Sequence, residues 1–288
     1  MRRLLSIVIA GVIGLAPAVG LAQTTTPRPT PQVTQSPTPV EFLQTEVLNE
    51  YPHDSGSFTQ GLVFHNGLLY ESAGQYGDSN LRQVNIETSE VLQQTDVEAA
   101  YFAEGLALVD DRLIQITWKE ETAFIYDLET FEPVGAFDYT GEGWGLCYDG
   151  EVIWMSDGSD ILTARDPDTF EVVREVTVTF EEYSLSQMVT EDGRALSEIN
   201  ELECVDGSVY ANVWYTDYIL RIDPTNGQVT GIIGAADLLT PEEKAALPSG
   251  AVLNGIAYND ETETFLLTGK YWPKLFEVQF KPLETAEG

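Results

Sequence analysis

The sequence predicts an all-β protein, because one short motif recurs along the chain at the start of successive hydrophobic strands. Four copies have a polar or aromatic residue before a glycine and an aliphatic residue: Gln60-Gly61-Leu62, Glu104-Gly105-Leu106, Trp144-Gly145-Leu146 and Asn254-Gly255-Ile256. The remaining copy is interpreted as Glu201-Leu202. The aligned aliphatic residues are 44, 40, 56 and 54 positions apart, which is typical of four-stranded blades with loops of variable length. The sequence therefore predicts a five-bladed β-propeller with four-stranded blades.

Each repeat also contains the turn signals of an antiparallel sheet. The first hairpin turns are marked by Asn66-Gly67, Asp110-Asp111, Asp149-Gly150, Asp206-Gly207 and Asn259-Asp260. The fifth repeat lacks a closing strand after Leu275 to Phe280. We therefore expect the segment from Phe42 to Asn49 to supply the outer strand of the last blade, which closes the ring and protects an edge.

The amino terminus is predicted to be a secretory signal peptide, residues 1–22. Arg2-Arg3 precede an apolar run, and small residues up to Ala22 form the cleavage site. An uncleaved membrane anchor is the alternative, which the interrupting Pro17 disfavours. Residues 23–40, rich in Thr and Pro, are expected to be a disordered spacer, and 41–288 the propeller domain. A secreted or periplasmic monomer without stable membrane association is the expected product.

Charge and cysteine content restrict the partners and the compartment. The formal net charge of −33 argues against a nucleic-acid partner. Cys147 and Cys204 follow the aliphatic residues of neighbouring repeats, which places both on inner strands. Export favours a disulfide, whereas neighbouring inner strands diverge and a bridge needs Cα atoms within about 7 Å. The sequence leaves this pairing open.

Antiparallel connectivity places the start of the first strand and the end of the second on the same face of a blade. Aligned from their hairpin turns, the second strands bring one equivalent position beside the motif residues, occupied by Gly74, Trp118, Asp157, Trp214 and Lys270. We expect both sets to surround the mouth of a central channel. Two insertions, 179–199 and 234–253, are predicted to reach this face, the second with a short helix capped by Thr240.

The aromatic and acidic residues of this mouth suit a ligand that carries an amine. Indole faces attract a cation, and a carboxylate in an apolar box has its pKa raised and exchanges protons near neutrality. His53 and His65 fall on opposite faces, which argues against a zinc centre. The chain also lacks a nucleophile elbow and a phosphate-binding loop. An exported propeller that only binds peptides or glycans, and a metal-dependent propeller lactonase, are the alternative functions.

These motifs resemble the plant and bacterial type of glutaminyl-peptide cyclotransferase, or glutamine cyclotransferase, a family of five-bladed propellers. The resemblance runs from about Tyr51 to Phe280 and rests on His53-Asp54, Phe58 to Leu62, Tyr70 to Gly74, Glu104 to Leu106, Trp118-Lys119, Gly143 to Leu146, Ser156 to Ser159, Asn200 to Glu203, Asn212 to Trp214, Asn254 to Ala257 and Thr268 to Trp272. It implies that N-terminal glutamine of peptides or proteins is converted to pyroglutamate with release of ammonia.

The resemblance also implies roles for individual residues. Glu71 is the first choice as proton carrier, and Glu104 and Glu201 are alternates because strand alignment places Glu71 deeper than the mouth. Lys270, Gln60 and the Trp214 indole are expected to donate to the oxyanion. The predicted substrate-binding residues are Phe58, Trp118, Trp144, Asn200, Glu201, Trp214 and Asn254. No cofactor is expected to be required; some relatives carry a structural calcium ion in the channel, and the acidic ring here is compatible with one, but no metal ligands are assigned.

Overall fold

The computed structural model describes residues 8–9, 39–190 and 193–283. Most of the predicted leader and spacer, residues 1–7 and 10–38, lies outside the described residues. The described chain is built from β-strands, together with the 3-10 helix Leu185–Gln187 and the α-helix Pro241–Ala246. Among the described residues, no helix has the length and apolar character needed to span a bilayer.

Three four-stranded antiparallel sheets follow one another along the chain, each with sequence neighbours paired in order. The first sheet contains Thr59–His65, Leu68–Ala73, Asn80–Val84 and Val91–Asp96. The second sheet contains Ala103–Val109, Arg112–Thr117, Thr122–Asp127 and Pro133–Asp138. The third sheet contains Leu146–Tyr148, Ile153–Ser156, Ile161–Arg165 and Val172–Thr177.

Two further groups of four strands are joined into one larger sheet. The fourth group contains Ile199–Val205, Ser208–Val213, Tyr218–Asp223 and Gln228–Gly234. The fifth group contains Leu253–Asn259, Thr264–Gly269, Lys274–Pro282 and, as its outer strand, Glu41–Pro52. The outer strand pairs antiparallel with Lys274–Pro282, as predicted, and its first residues pair in parallel with Gln228–Gly234. The short strands Thr179–Phe180 and Tyr183–Ser184 pair with each other, and the first of them also pairs with Gln228–Gly234 of the larger sheet. Met188–Val189 and Val8–Ile9 form a separate two-stranded sheet.

The first strands of the five groups pack against one another in cyclic order, and the fifth returns to the first. The motif glycines make this approach possible. A Cβ on Gly61 would lie 2.5 Å from the backbone nitrogen of Leu106, and one on Gly105 would lie 2.5 Å from that of Leu146. Any side chain there would force the inner strands apart, which explains physically why the small residue recurs.

The backbone hydrogen bonds correct the predicted alignment of the fourth repeat. In the first and second sheets, the residue after the second strand donates its N–H to the residue two positions before the motif, as Trp118 does to Phe102. In the fourth group, Trp214 donates to Glu198 in the same way. Asn200, not Glu201, is therefore the equivalent of Gln60 and Glu104, and Glu201 occupies the glycine position. The pattern was misread because this repeat has no glycine to mark the frame.

Cys147 and Cys204 form a disulfide, with their Cα atoms 5.4 Å apart. The inner strands of the third sheet and the fourth group therefore do not diverge at this depth, which settles the pairing that the sequence left open. Trp154 is fully buried in the hydrophobic cluster that contains Cys147. The predicted helix cap is also confirmed, because the Thr240 hydroxyl accepts the N–H of Glu243 and the Glu243 carboxylate accepts the N–H of Thr240.

Candidate active site

Four partly exposed aromatic rings lie together where the first strands begin and the second strands end. The rings of Trp144 and Trp214 meet edge to face, with centroids 5.2 Å apart. The buried ring of Phe102 lies between Phe58 and Trp118. Its centroid is 6.1 Å from that of Phe58 and 5.8 Å from that of Trp118. The four aromatic residues predicted to bind substrate thus form the walls of one site, called here the aromatic box (Phe58, Trp118, Trp144 and Trp214).

Lys270 contributes a buried cation to the aromatic box. Its side chain is 2% exposed, and its Nζ lies 4.7 Å from the ring centroid of Phe58 and 5.9 Å from that of Trp214. Ring faces attract a cation, but the loss of water around the ammonium has the larger effect. Burial lowers the pKa of Lys270 to about 8, and the field of Glu104 opposes this shift. The residue therefore carries a positive charge at neutral pH.

Glu104 is the carboxyl group of this site with a raised pKa. It is buried, and its Oε1 accepts a hydrogen bond from Gln60 Nε2 at 2.9 Å. Burial raises its pKa well above the ordinary range; Lys270 lowers it, while the neighbouring carboxylates of Glu142 and Glu120 raise it further. A carboxyl group with a raised pKa holds a proton more readily than an ordinary carboxylate does.

Glu71, the first choice for proton carrier, has a different environment. It is fully buried, and its Oε1 accepts the hydroxyl hydrogens of Ser57 and Thr59 at 2.5 and 2.6 Å. Its Oε2 is bound by Arg82 through Nε at 2.9 Å and NH2 at 2.7 Å. Burial alone would raise the pKa of Glu71, but Arg82, His53 and these hydroxyl donors hold it well below its usual range.

This geometry argues against the predicted role of Glu71. A carboxylate whose oxygens are saturated by donors and whose pKa is depressed is a poor proton carrier near neutrality. Its donors Ser57 and Thr59 lie on either side of Phe58, and the backbone of Phe58 accepts the N–H of Gly74. Glu71 therefore fastens the segment that carries Phe58 and Gln60 into the site. The strand alignment had already placed it below the mouth.

Glu201 is also displaced from its predicted place at the mouth. Its carboxylate is fully buried and accepts the backbone N–H of Ile256 at 2.8 Å and of Leu62 at 3.2 Å. The side chain thus joins the first strand of the fourth group to the first strands of the first sheet and of the fifth group. Burial and the nearby Glu203 raise its pKa. Because both oxygens already bind backbone groups, neither the proton-carrier nor the substrate-binding role fits Glu201.

Asn200 and Asn254 are buried at the motif positions, 2% and 0% exposed. Asn254 donates to the carbonyl oxygen of Thr59 at 2.9 Å. Within the described part of the chain, the Oδ1 atoms of both asparagines have no hydrogen-bond partner. Buried polar atoms are nearly always paired in native proteins, so these two acceptors are suited to N–H groups of a ligand. Both residues were predicted to bind the substrate.

Two acidic residues depart from the sequence analysis. Asp157, aligned with the mouth, is exposed, and its carboxylate accepts the N–H of Ser159 in its own turn at 3.0 Å. Glu142, which the sequence analysis missed, instead lies at the aromatic box: its Oε2 accepts the indole N–H groups of Trp118 at 2.8 Å and Trp144 at 3.1 Å. The only local signal is the glycine on each side of Glu142.

A structural calcium ion stays a prediction that no carboxylate cluster of the described residues supports. Among the described residues, no group of three or more histidine, cysteine, aspartate or glutamate side chains is arranged to hold a metal. Calcium needs six to eight oxygen ligands, whereas the buried carboxylate of Glu201 already accepts two backbone N–H groups. No step of the chemistry below involves a metal.

A buried carboxyl group with a raised pKa, beside a buried ammonium and an aromatic box, suits an all-β enzyme that transfers an acyl group to an amine. The chain belongs to the glutamine cyclotransferase family, whose model matches residues 16–280. It is 38% identical over 249 residues to the glutaminyl-peptide cyclotransferase of Arabidopsis thaliana, covering 84% of this chain and 73% of that protein. The crystal structure of Myxococcus xanthus glutaminyl cyclase matches with a TM-score of 0.76 and 37% identity, covering 85% of this chain and all of that one.

Proposed function

We propose that this protein is a glutaminyl-peptide cyclotransferase, which converts the N-terminal glutamine of peptides or proteins into pyroglutamate and releases ammonia. The observation that carries the proposal is the contact between Gln60 and the buried Glu104 inside an aromatic box that also holds Lys270. Family membership and the two named relatives support the same reaction.

The substrate must fold so that its α-amine reaches its own γ-amide carbon. The aromatic box can hold the folded side chain between ring faces, and the unpaired Oδ1 atoms of Asn200 and Asn254 can accept the γ-amide N–H groups. Holding two reacting groups in one orientation supplies about 7–11 kcal/mol in well-aligned cases. Binding therefore performs a large part of the catalysis.

Bond formation creates an oxyanion on the former γ-carbonyl oxygen. We assign its stabilisation to the ammonium of Lys270, because a buried charge in an apolar site acts strongly on a developing negative charge. Gln60 is oriented by its bonds to Glu104 and to Asn254, the latter at 3.4 Å. It keeps Glu104 in place while the charge develops.

Glu104 then moves one proton between the two nitrogen atoms. The attacking amine nitrogen forms a bond to the γ-carbon and gives a proton to the Glu104 carboxylate. The same proton passes to the γ-amide nitrogen, the bond from that nitrogen to carbon breaks, and ammonia leaves. No proton is gained or lost overall, so one carboxyl group with a raised pKa can serve as base and then as acid.

We also propose a five-bladed arrangement of the strands and a location outside the cytoplasm. We interpret the five strand groups as the blades of a five-bladed propeller, which the cyclic packing of the first strands and the outer strand Glu41–Pro52 support. The predicted leader supports an exported protein that is secreted or periplasmic and acts as a monomer on exported peptides. Residues 41–288 would then form the catalytic domain.

The direct test incubates the purified protein with a dipeptide that begins with glutamine and follows ammonia together with the mass of the peptide. The proposal predicts one ammonia released for each peptide that loses the mass of ammonia, and no reaction with the same peptide acetylated at its α-amine. A folded protein that binds the dipeptide without releasing ammonia would instead support the alternative function, an exported propeller that only binds peptides.

A further inference from the structure

Glu142 binds two residues of the aromatic box, and neither the motifs nor the proposed chemistry uses it. Its Oε2 accepts the indole N–H of Trp118 and of Trp144, and its Oε1 lies 3.5 Å from the Nζ of Lys119. The Lys119 ammonium in turn lies 3.7 Å from the centroid of the Trp118 ring. One carboxylate thus joins two walls of the site that come from different sheets.

The backbone around Glu142 is built to hold it there. Gly141 has a φ of +96°, which favours glycine, and its N–H donates to Glu121 at 2.9 Å. A Cβ on Gly143 would lie 2.8 Å from the carbonyl oxygen of Thr117. Glycine is therefore required on both sides, once for the turn and once for the close approach, and the turn places Glu142 between the two indoles.

We propose that Glu142 is a positioning residue of the proposed cyclotransferase site: it fixes the indole planes of Trp118 and Trp144 and places a negative charge next to Glu104. An indole held by its N–H cannot turn about its side-chain bonds, so its face stays directed at the ligand. A charged acceptor makes such hydrogen bonds about twice as strong as neutral ones. The kinetic test of this inference rests on the proposed function, whereas the test by tryptophan fluorescence does not.

The negative charge has a separate, measurable effect. The charged groups that act on Glu104 are Lys270, Glu142 and Glu120; Lys270 lowers its pKa and both carboxylates raise it. Glu120 is the matched control, because it accepts the hydroxyl hydrogen of Tyr76 at 2.8 Å and the N–H of Phe102 at 3.2 Å but holds neither indole. Removing either charge should therefore lower the pKa of Glu104, whereas only changes at Glu142 should disturb the indoles.

The test compares Glu142→Ala, Glu142→Gln and Glu120→Gln by steady-state kinetics with a glutamine-initiated dipeptide and by tryptophan fluorescence. Two lost charge-assisted hydrogen bonds should raise KM about tenfold in Glu142→Ala. The amide oxygen of Glu142→Gln still accepts an indole N–H, so its KM should rise less. All three variants should shift the acid limb of the kcat/KM profile to lower pH, and Glu120→Gln should keep KM within about twofold.

The outcomes separate the two proposals. A KM for Glu142→Ala within twofold of the wild type, with an unchanged emission spectrum and unchanged quenching by iodide, would overturn the positioning role. A folded wild type that releases no ammonia would overturn the proposed function instead. In that case the altered tryptophan emission of Glu142→Ala, compared with Glu120→Gln, would still decide whether Glu142 positions the indoles.

Discussion

The side-chain amide of Gln60 donates a hydrogen bond to Oε1 of Glu104 at 2.9 Å, although the two residues belong to different sheets. The bond joins two equivalent motif positions across the interface between neighbouring first strands. A donor to a carboxylate stabilises the charged form and lowers its pKa. Gln60 therefore acts against the burial that raises the pKa of Glu104.

Replacing Gln60 with leucine should move the acid limb of the kcat/KM profile to higher pH. The variant removes the N–H that stabilises the Glu104 carboxylate, so the pKa of Glu104 rises and the carboxyl group ionises only at a higher pH. The measurement is ammonia release across a pH series. Glu142→Gln, which should move the limb in the opposite direction, is the control; a shift of both variants in the same direction would contradict this electrostatic account.

The pH dependence of kcat should show a second limb that belongs to Lys270. Its pKa is lowered to about 8 by burial, so the ammonium is present below that pH and is lost as the pH rises through it. At saturating substrate, kcat reports the ionising groups of the enzyme–substrate complex rather than the amine of the free peptide. In Lys270→Arg the side chain stays protonated, so the descending limb should disappear from this range even if kcat is lower. A descending limb near pH 8 in that variant would exclude Lys270 as its source.

Glu71→Gln should destabilise the fold more than it impairs the chemistry. The neutral amide leaves the buried guanidinium of Arg82 with only the half-exposed Asp54 as its counter-charge, and breaking a buried pair costs about 3–5 kcal/mol. Because the pKa of Glu71 is depressed in the folded protein, its stabilising effect is present above the ordinary value of 4.5 and is lost as the pH falls below it.

Urea unfolding of wild type and Glu71→Gln at several pH values measures this difference. The gap between their free energies of unfolding should narrow as the pH falls below about 4.5. The kcat of the folded variant should stay within about tenfold of the wild type, since the proton carrier is intact. A fully stable variant without activity would restore the catalytic role first assigned to Glu71.

Removing the disulfide should lower stability without changing the site. Cys147 and Cys204 are 57 residues apart in sequence and join the third sheet to the fourth group. A cross-link of this kind contributes about 2–4 kcal/mol, mainly by restricting the unfolded chain. The double variant Cys147→Ser, Cys204→Ser should unfold at lower urea concentration and keep its KM. Addition of a reductant to the wild type should reproduce the loss, and equal stability in both states would contradict it.

The sequence carried enough information for the strands and for most of the aromatic box, because the motif glycines and the ends of the second strands recur at regular intervals. It misassigned Glu201, since a carboxylate there replaces the glycine that marks the frame elsewhere. The role of Glu71 was out of reach because it depends on Arg82 in the neighbouring strand. The role of Glu142 was not predicted, because a single acidic residue in a loop has no periodic signal. Its contacts with the two indoles depend on the fold.

The measurement that tests the account most directly is the kcat of Glu104→Gln with a glutamine-initiated dipeptide. The amide keeps the shape of the side chain and its contact with Gln60 but cannot carry the proton. Loss of a positioned acid–base group costs about 10²- to 10⁴-fold, so kcat should fall by at least about a hundredfold while KM stays within a few-fold. A folded Glu104→Gln that retains kcat within about threefold would contradict the central claim that Glu104 moves the proton.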